Sequence, residues 1–272
     1  MVTPFLDPSG NPIPEEQLLG YGRSGVVILQ DKMAIKLPLR YSYTSDDEVA
    51  ENTMVLRREQ DVYNSLGKCE GVVPYIRLLG ESTQLAFMEN GDLRSYLSRT
   101  KPPKSLQLAW FRQMAFALSC IHDRSVIVAD IACRNILLDS DLSIKFCDFT
   151  ESTIMPSGTD METDDDNGYS VQTDIGQLGR VIYEVITGKD CGFDLHENGV
   201  SRATLPRRET LPSTQDIWLG SIIEKCWIPG AYRNANDLKE ELDAVSLEDP
   251  PSNYYLALAV GTAVVAVWLS FR

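Results

Sequence analysis

Three oxygen-bearing side chains beside apolar segments constrain this chain more than any other feature of its sequence. Asp130 and Asn135 stand five residues apart between two apolar runs, and Asp148 directly follows the mainly apolar stretch 144–147. Any one aspartate is most often a turn residue, but the ordered set of three is improbable by chance. Carboxylate and amide oxygens at strand ends suit magnesium chemistry on a nucleotide. We therefore expect Asn135 and Asp148 to be metal ligands, and Asp130 to act as the base or to align an attacking hydroxyl.

A glycine-rich stretch nearer the N-terminus predicts contact with a phosphate. Gly20, Gly22 and Gly25 fit the pattern G-x-G-x-x-G-x-V, and β-branched residues follow them, which indicates a hairpin rather than a helix N-terminus. Glycines in such a turn let backbone N–H groups approach a phosphate closely. Lys36 ends an apolar strand about ten residues later. Alone it would be read equally well as a snorkelling lysine, but beside the glycines it predicts a phosphate contact and a carboxylate partner, Glu59.

The charge balance of the chain excludes some classes of function. Lys and Arg number 25 and Asp and Glu number 39, which gives a formal net charge of −14. Phosphate contacts need clustered basic side chains, so we expect no nucleic-acid partner. Apolar residues make up 43% and charged residues 24% of the chain, which is ordinary for a globular protein and excludes a multi-span membrane protein. The six cysteines follow no metal-binding spacing and are expected to be reduced thiols in the cytosol.

The order of the predicted elements indicates an α+β chain with two lobes. Strand-like runs with one long helical stretch occupy residues 14–88, and mainly helical patterns occupy residues 90–246. Residues 1–13 carry Asp, Pro, Gly and Asn, without the basic start and apolar stretch of a secretory signal. We therefore expect residues 1–13 to form a loose leader before a small β-rich lobe and a larger α-rich lobe.

The C-terminal residues differ in composition from the rest of the chain. Residues 254–271 are uncharged and almost wholly apolar, and a helix of these 18 residues would be ~27 Å long, close to the thickness of a thin bilayer. A buried core helix is the alternative, but no polar face appears at any helical phase. Two prolines lie in the linker predicted at 247–253. We expect a single C-terminal transmembrane helix at 254–271 that anchors the protein in a membrane, with its lobes in the cytosol.

Taken together, these motifs make the chain resemble the eukaryotic protein kinases over about residues 14–246. The motifs fall in the order that this family shows. The stretch 173–179 resembles the start of the family's central helix, whose Asp174 contacts the backbone of the catalytic loop, and 222–227 with Arg233 resembles its penultimate helix. In style the chain is similar to the small divergent kinases of filamentous fungi.

The resemblance implies a two-lobed kinase-like fold, ATP and magnesium as cofactors, and a role for each motif residue. The three glycines would cover the ATP phosphates, and Lys36 would hold the α- and β-phosphates while it pairs with Glu59. Asp130 would orient the attacking hydroxyl. The residues expected around the adenine ring and the hinge are Val27, Ala34, Leu137, the gatekeeper Met88 and the first hinge residue Glu89, in a hinge about three residues shorter than usual. The residues expected in the apolar spine are Tyr63, Val128 and Phe149.

The chain departs from the family pattern in four places. Residues 128–129 are Val-Ala where the family has His-Arg, which removes the usual partner of a phosphorylated activation loop. Thr150 replaces a glycine, and this is expected to restrict switching of the loop. The stretch before Asp174 is about ten residues short and lacks Ala-Pro-Glu, so Arg233 loses its expected partner. The residues at 132–134, Ala-Cys-Arg, are closer to the tyrosine-kinase form of the loop.

Three functions remain open at this stage. An active ATP–Mg-dependent kinase acting on Ser/Thr or Tyr hydroxyls of a protein substrate, without loop phosphorylation, is favoured because every expected nucleotide and metal residue is present. A membrane-anchored pseudokinase that binds nucleotide or docks partners is favoured by the missing peptide-docking residues. A small-molecule phosphotransferase of the same fold is the third possibility.

Two further features have more than one interpretation. The acidic run 159–167 is either a solvated loop or a surface that favours basic peptides. Cys133 and Cys147 are expected to flank the nucleotide pocket. They are either inert packing thiols or, if Lys36 lowers their pKa, reactive thiolates.

Overall fold

The computed structural model describes residues 2–196 and 201–247, and it begins with an antiparallel hairpin. Strand β1 (Val2–Leu6) pairs with β2 (Pro12–Pro14). Phe5 and Ile13 are 3% and 2% exposed because they pack into the core of the neighbouring sheet. The expected loose leader at 1–13 is therefore corrected. Two apolar side chains on two short strands form no periodic pattern in the sequence, so their burial depends on tertiary contacts.

Five antiparallel strands form the sheet of the N-terminal lobe. They are β3 (Leu18–Tyr21), β4 (Gly25–Gln30), β5 (Met33–Pro38), β6 (Tyr75–Leu78) and β7 (Thr83–Ala86), and they lie in the order β3-β4-β5-β7-β6. Asp31 and Lys32 connect β4 to β5 with φ of 51° and 61°, the left-handed conformation that matches the twist of a two-residue hairpin turn. Alternate residues of β4 and β5 pack against the N-terminal hairpin: Val26, Ile28, Ile35 and Leu37.

Helix α1 (Asp46–Leu66) packs against β5 of this sheet. It begins at a capping box in which the Ser45 side chain accepts from the backbone N–H of Glu48 and the Glu48 carboxylate accepts from the backbone N–H of Ser45. The buried face of the helix is apolar except for two residues, Glu59 and Gln60. A glutamate that is 1% exposed requires a cationic partner, and this places Glu59 among the candidate site residues.

Helices make up most of the C-terminal lobe. In the described residues they are α2 (Leu93–Leu97), α3 (Lys104–His122), α4 (Val171–Thr187), α5 (Gly220–Cys226) and α6 (Ala235–Ala244). Helix α3 supplies much of the core through Trp110, Phe111, Met114 and Leu118, which are fully buried. Helices α4 and α5 approach closely at Gly179, where a Cβ atom would lie 2.5 Å from the Cβ of Cys226. Glycine is therefore required at this crossing.

Four short strands bring the predicted catalytic segments together. They are β8 (Val126–Ile127), β9 (Ile136–Leu138), β10 (Ile144–Phe146) and β11 (Thr153–Ile154), and they pair as two antiparallel ribbons, β9 with β10 and β8 with β11. Backbone hydrogen bonds join the lobes, including one of 2.9 Å from Val73 N to Phe146 O. The predicted α+β architecture, with a sheet-rich first lobe and a helical second lobe, is confirmed.

The lobes lie within one compact unit, Met1–Leu242, and a second unit comprises Asp243–Arg272. Most of the second unit lies outside the described residues, and so do the predicted anchor at 254–271 and nearly all of the predicted linker at 247–253. Within residues 2–196 and 201–247, no helix is both long enough and apolar enough to cross a membrane.

Candidate active site

A cleft of about 770 Å³ lies between the sheet of the N-terminal lobe and the short strands of the C-terminal lobe. Nearly all of the predicted site residues line it: Gly20, Gly22, Gly25, Val27, Ala34, Lys36, Glu59, Met88, Asp130, Asn135, Leu137 and Asp148. Glu89 is the exception, because it is exposed to solvent and does not line the cleft.

Lys36 connects the two lobes through ion pairs inside the cleft. Its Nζ lies 2.7 Å from Glu59 Oε2 and 2.7 Å from Asp148 Oδ1. The lysine comes from β5, the glutamate from α1 and the aspartate from the segment after β10, so three separate elements converge on one ammonium group. The second oxygen of Glu59 accepts a hydrogen bond of 3.1 Å from Phe149 N. Glu59 therefore links the helix both to the lysine and to the backbone beside Asp148.

Burial and pairing shift the pKa values of these three groups. Burial opposes the charged form of Lys36, but Glu59 and Asp148 raise the pKa of Lys36 well above its ordinary value. Burial also opposes the charge of Asp148, yet Lys36 and the Thr150 hydroxyl hold the pKa of Asp148 below its usual range. Burial raises the pKa of Glu59 against the opposing effect of Lys36. At neutral pH the cleft thus presents a cationic lysine for a phosphate and an anionic aspartate for a metal.

Thr150 joins this network at the position where the family pattern has glycine. Its Oγ1 donates a hydrogen bond of 2.6 Å to Asp148 Oδ1 and accepts one of 3.0 Å from Lys36 Nζ. Asp148 has a φ of 59°, an unfavourable conformation that surrounding contacts must maintain. The sequence predicted only a restricted loop at Thr150. That its hydroxyl contacts both charged groups is a feature that sequence reasoning missed.

The glycines of the glycine-rich loop, residues 20–25, differ in what they do. A Cβ at Gly25 would lie 3.2 Å from Lys36 Cε and 3.3 Å from Leu37 O, so glycine there permits close packing on β5. At Gly20 and Gly22 a Cβ would meet no protein atom within 4 Å, and neither residue has a positive φ. Contacts inside the protein therefore do not require glycine at these two positions. Glycine would be required there if a ligand approached the backbone closely.

Leu85 and Met88 both line the cleft, but they lie on different parts of the chain. Strand β7 ends at Ala86, and Leu85 lies opposite Ala34 of β5 and lines the cleft. Met88 lies two residues beyond the strand and is buried. Met88 therefore lies beyond the end of the strand, and its role as gatekeeper and the shortened hinge stay predictions. The apolar run at 85–88 carries no periodicity that marks where the strand ends.

Asp130 lies in the catalytic loop, residues 128–135, with two partners from the same loop. Arg134 Nη2 lies 2.6 Å from each carboxylate oxygen of Asp130. Asn135 Nδ2 donates to Asp130 Oδ2 at 2.9 Å and to its backbone oxygen at 3.0 Å. Because the amide NH₂ of Asn135 is used inside the loop, its carbonyl oxygen is the atom suited to a metal.

Asp174 of α4 is fully buried and binds the backbone of the catalytic loop. Its Oδ2 and Oδ1 accept hydrogen bonds of 2.8 Å from Val128 N and Ala129 N, and its Oδ2 also lies 2.9 Å from His122 Nε2. The predicted contact of Asp174 with the loop backbone is confirmed. His122, at the end of α3, was given no catalytic role, and its contact with Asp174 is structural.

Gln177, one turn further along α4, completes this attachment. Its Oε1 accepts from Ile131 N at 3.0 Å, and its Nε2 donates to Ala129 O at 2.7 Å. Ala129 has a φ of 65°, which costs free energy in a residue other than glycine and persists because both of its backbone polar groups are bound. Sequence reasoning missed Gln177, although a polar residue among the apolar positions of a buried helix face is a signal that could have found it.

The three residues expected in the apolar spine, Tyr63, Val128 and Phe149, are all buried. The rings of Tyr63 and Phe149 meet edge to face, with centroids 5.2 Å apart and planes at 88°. Val128 is buried in the catalytic loop. The Tyr63–Phe149 contact connects α1 to the residue that follows Asp148, so the positions of the helix and of Asp148 depend on each other.

The activation segment, residues 151–170, is bonded mainly within itself and to nearby loops. Thr153 Oγ1 donates to Asp166 Oδ2 at 2.7 Å, and Asp165 pairs with Arg202. Two acidic residues of the run 159–167 are thus already paired within the chain. Arg233, which lacks the glutamate partner that the family would provide, pairs instead with Asp237 four residues later.

The two cysteines predicted to flank the cleft have different positions. Cys147 lines the cleft and its Sγ lies 3.3 Å from Asn135 O, whereas Cys133 is fully buried and does not line the cleft. Burial raises the pKa of both thiols far above their ordinary value. Lys36 lowers the pKa of Cys147, but this effect is smaller than the opposing effects of burial and of Asp148. The interpretation as packing thiols is therefore favoured over a reactive thiolate.

The residues beside the cleft fit a magnesium ion that is shared with a phosphate ligand. Within the part of the chain that the structure describes, no group of three His, Cys, Asp or Glu side chains could hold a metal unaided. Asn135 and Asp148 offer one amide oxygen and one carboxylate. This small set of hard oxygen donors suits Mg²⁺, which commonly uses one or two protein ligands together with phosphate oxygens and water.

Comparison with known proteins gives consistent matches. The sequence model of the family "Protein kinase domain" matches residues 13–216. The chain is 29% identical over 210 residues to serine/threonine-protein kinase PrkC of Bacillus subtilis, covering 70% of this chain and 31% of that protein. It is 28% identical over 199 residues to tyrosine-protein kinase JAK3 of Rattus norvegicus, covering 59% and 18%. A fibroblast growth factor receptor of Strongylocentrotus purpuratus is 23% identical, covering 96% and 32%. The chain thus spans about a third or less of each of these relatives.

Proposed function

The chain belongs to the protein kinase family, and from this premise we propose that it transfers the γ-phosphate of ATP to hydroxyl groups of a protein substrate in the presence of magnesium. One observation carries the proposal. Lys36 is paired with both Glu59 and Asp148 at 2.7 Å inside a cleft that the glycine-rich loop covers. A buried lysine with a raised pKa and an adjoining anionic metal ligand is the charge arrangement that a nucleotide triphosphate requires.

Each side chain has a defined task in this proposal. Gly20 and Gly22 let the backbone approach the phosphates, and Lys36 binds the α- and β-phosphates while Glu59 keeps it in position. Asn135 and Asp148 would hold magnesium, which would neutralise charge on the phosphates. Val27, Ala34 and Leu137, which line the cleft, would contact the adenine ring.

Asp130 accepts the proton of the attacking hydroxyl and keeps its oxygen aligned with the γ-phosphate. Arg134 now bonds both oxygens of that carboxylate, so an incoming hydroxyl group takes the place of one of these contacts. The neighbouring residues 132–134 are similar to the tyrosine-kinase form, and both hydroxyl classes belong in the assay.

The enzyme is proposed to need no phosphorylation of its activation segment. Ala129 stands where the family has the arginine that binds a phosphorylated loop, so that partner is missing. Hydrogen bonds within the chain already order the segment, as in the contact between Thr153 and Asp166. Phosphatase treatment should therefore leave activity unchanged.

The decisive experiment measures transfer of labelled γ-phosphate from ATP to Ser, Thr and Tyr peptides by the full chain, with and without Mg²⁺. Lys36→Met and Asp148→Asn are expected to abolish transfer, since charge neutralisation and positioning supply most of this catalysis. Lys145→Met, on β10, is the matched control and should retain activity. If the unaltered chain and both variants give the same residual signal, the proposal is wrong.

A pseudokinase is the second candidate, and one observation favours it. The chain lacks the Ala-Pro-Glu stretch and about ten residues of the segment before Asp174, which in the family help to dock a peptide. A chain that binds ATP tightly but transfers no phosphate under any condition would support this second candidate.

Membrane attachment through residues 254–271 remains a proposal that rests on composition alone. The corresponding experiment is fractionation of the full chain, which should remain with membranes through carbonate extraction. Recovery of the full chain in the aqueous fraction would contradict it.

A further inference from the structure

We propose that the N-terminal hairpin, β1 and β2, positions the glycine-rich loop, and that Phe5 is the positioning residue through which it does so. The inference rests on the proposed function, since the loop is taken to cover ATP. It concerns a segment that the sequence alone predicts to be a loose leader.

The contact between the two elements is a pair of aromatic rings. The centroid of the Phe5 ring lies 4.9 Å from that of Tyr21, with the planes tilted by 46°. Tyr21 stands between Gly20 and Gly22 and lines the cleft. Phe5 is almost completely buried, whereas Tyr21 is 66% exposed. The buried ring therefore supplies a packing surface for a loop residue that otherwise faces mainly solvent.

The hairpin is itself attached to the sheet at points outside the loop. Ile13 is buried in the same apolar cluster as Val26 and Leu37. Leu6 N donates a hydrogen bond of 2.9 Å to Arg40 O, and Phe5 forms a β-bridge with Tyr41, whose ring centroid lies 5.2 Å away. Phe5 is thus held from two sides, and its ring is a fixed point against which Tyr21 packs.

The loop has few side-chain contacts of its own. Gly20 and Tyr21 pair with Val27 and Val26 of β4 at the edge of the sheet, and Gly22 N donates a hydrogen bond of 2.8 Å to Gly25 O. A Cβ at Gly20 or Gly22 would contact no protein atom within 4 Å, so Tyr21 carries the side-chain packing at this point, and glycine backbones adopt more conformations than those of other residues. Ordering the loop before a ligand arrives removes part of the entropy cost of binding. The hairpin should therefore favour nucleotide affinity without taking part in phosphoryl transfer.

The experiment compares Phe5→Leu, Tyr21→Leu and the double variant in the full chain. A fluorescent ATP analogue measures nucleotide affinity, and hydrogen–deuterium exchange measures opening of residues 19–25 in the absence of nucleotide. Aromatic pairs of this kind correspond to about a two- to tenfold change in an equilibrium constant. We expect each single variant to weaken affinity by that factor, and the double variant to bind the analogue no more weakly than either single variant. In Phe5→Leu, which changes no residue that lines the cleft, kcat at saturating ATP should be unchanged. Tyr21→Phe should retain affinity.

Tyr43→Ala is the matched control, since Tyr43 is 80% exposed and stacks on the outer face of Tyr41 at 5.1 Å. It should change neither affinity nor exchange.

Additive effects in the double variant would overturn the inference, and so would unchanged exchange at 19–25 in Phe5→Leu. A third contrary result has two parts. Phe5→Leu would speed exchange throughout the sheet, and Tyr21→Leu would not speed exchange at 19–25. Phe5 would then be only a core residue, and the inference would be overturned. If neither the unaltered chain nor any variant binds nucleotide, the proposed function fails. If exchange at 19–25 nevertheless rises in Phe5→Leu and Tyr21→Leu, the positioning of the loop by the hairpin stands.

Discussion

The catalytic loop and the glycine-rich loop face the same cleft, but different kinds of contact hold them. The catalytic loop is bonded to Asp174, which is fully buried, by two hydrogen bonds of 2.8 Å. The glycine-rich loop pairs with β4 along one edge of the sheet, and beyond this its side-chain contacts are those of Tyr21, packed on Phe5, and of Arg23, which is 83% exposed and pairs with Glu151 of the activation segment.

This difference between the two loops indicates which part of the site is rigid. Hydrogen bonds to a buried carboxylate are strong because the surroundings have a low dielectric and no water competes for them. Exposed ion pairs contribute little and weaken with salt. Hydrogen bonds of the buried kind can maintain the strained backbone of Ala129, whereas exposed ion pairs cannot. The loop that bears Asp130 therefore keeps one geometry, whereas the glycine-rich loop can adjust.

The largest expected effect removes chemistry from the rigid loop without changing its shape. Asp130→Asn should lower kcat by about 10²–10⁴-fold, because the amide cannot take the proton of the attacking hydroxyl. Nucleotide affinity should stay the same, which a fluorescent ATP analogue would check. Asp141→Asn, in an exposed turn, is the control. A variant with nearly normal kcat would show that Asp130 is only a structural partner of Arg134.

The second prediction removes the attachment of the rigid loop. Asp174→Ala leaves two backbone N–H groups and His122 without their buried acceptor, and should lower the free energy of unfolding by about 3–5 kcal/mol. Urea denaturation would measure it. Asp61→Ala, on the exposed side of α1, should cost no more than about 0.5 kcal/mol. Equal effects of the two substitutions would show that the catalytic loop does not depend on Asp174.

The third prediction concerns Thr150, which lies between the two regions. Thr150→Val keeps the shape of the side chain but removes the hydrogen bonds to Asp148 and Lys36, and a bond to a charged group contributes about 1.5–3 kcal/mol. We expect at least about a tenfold loss in kcat/KM and weaker metal binding, measured by titrating activity and a Mn²⁺ signal. Thr150→Ser should restore both. If serine fails to do so, the methyl group and not the hydroxyl is what matters.

The smallest expected effect tests the adjustable loop. Arg23→Gln removes an exposed ion pair with Glu151 and should change the free energy of unfolding by less than about 1 kcal/mol. Any change in KM for ATP should disappear at about 1 M salt, where exposed pairs are screened. A large effect that persists in salt would place Arg23 in direct contact with the nucleotide and remove the contrast between the two loops.

Most of the site could be predicted because its residues stand out from the residues next to them in the sequence. Lys36 was expected to end an apolar strand but lies within β5, two residues before its end, and Asp148 follows another strand. A charge in either place is rare without a partner. Glu89 was assigned to the cleft, but it does not line it, because the apolar run at 85–88 has no internal signal for the end of a strand. The hydroxyl of Thr150 was missed because only the folded chain shows which atoms it contacts.

The types of residue in the site and their order along the chain follow from local sequence patterns. Periodicity, glycines and charges within apolar segments are local properties, so they specify strands, helices and turns wherever they occur. Which distant parts of the chain meet depends on tertiary packing. Lys36 and Asp148 are 112 residues apart, and no local pattern encodes their 2.7 Å contact. The same holds for Phe5, whose burial depends on a sheet that begins twelve or more residues later, because packing is decided by the whole lobe rather than by neighbours in the chain.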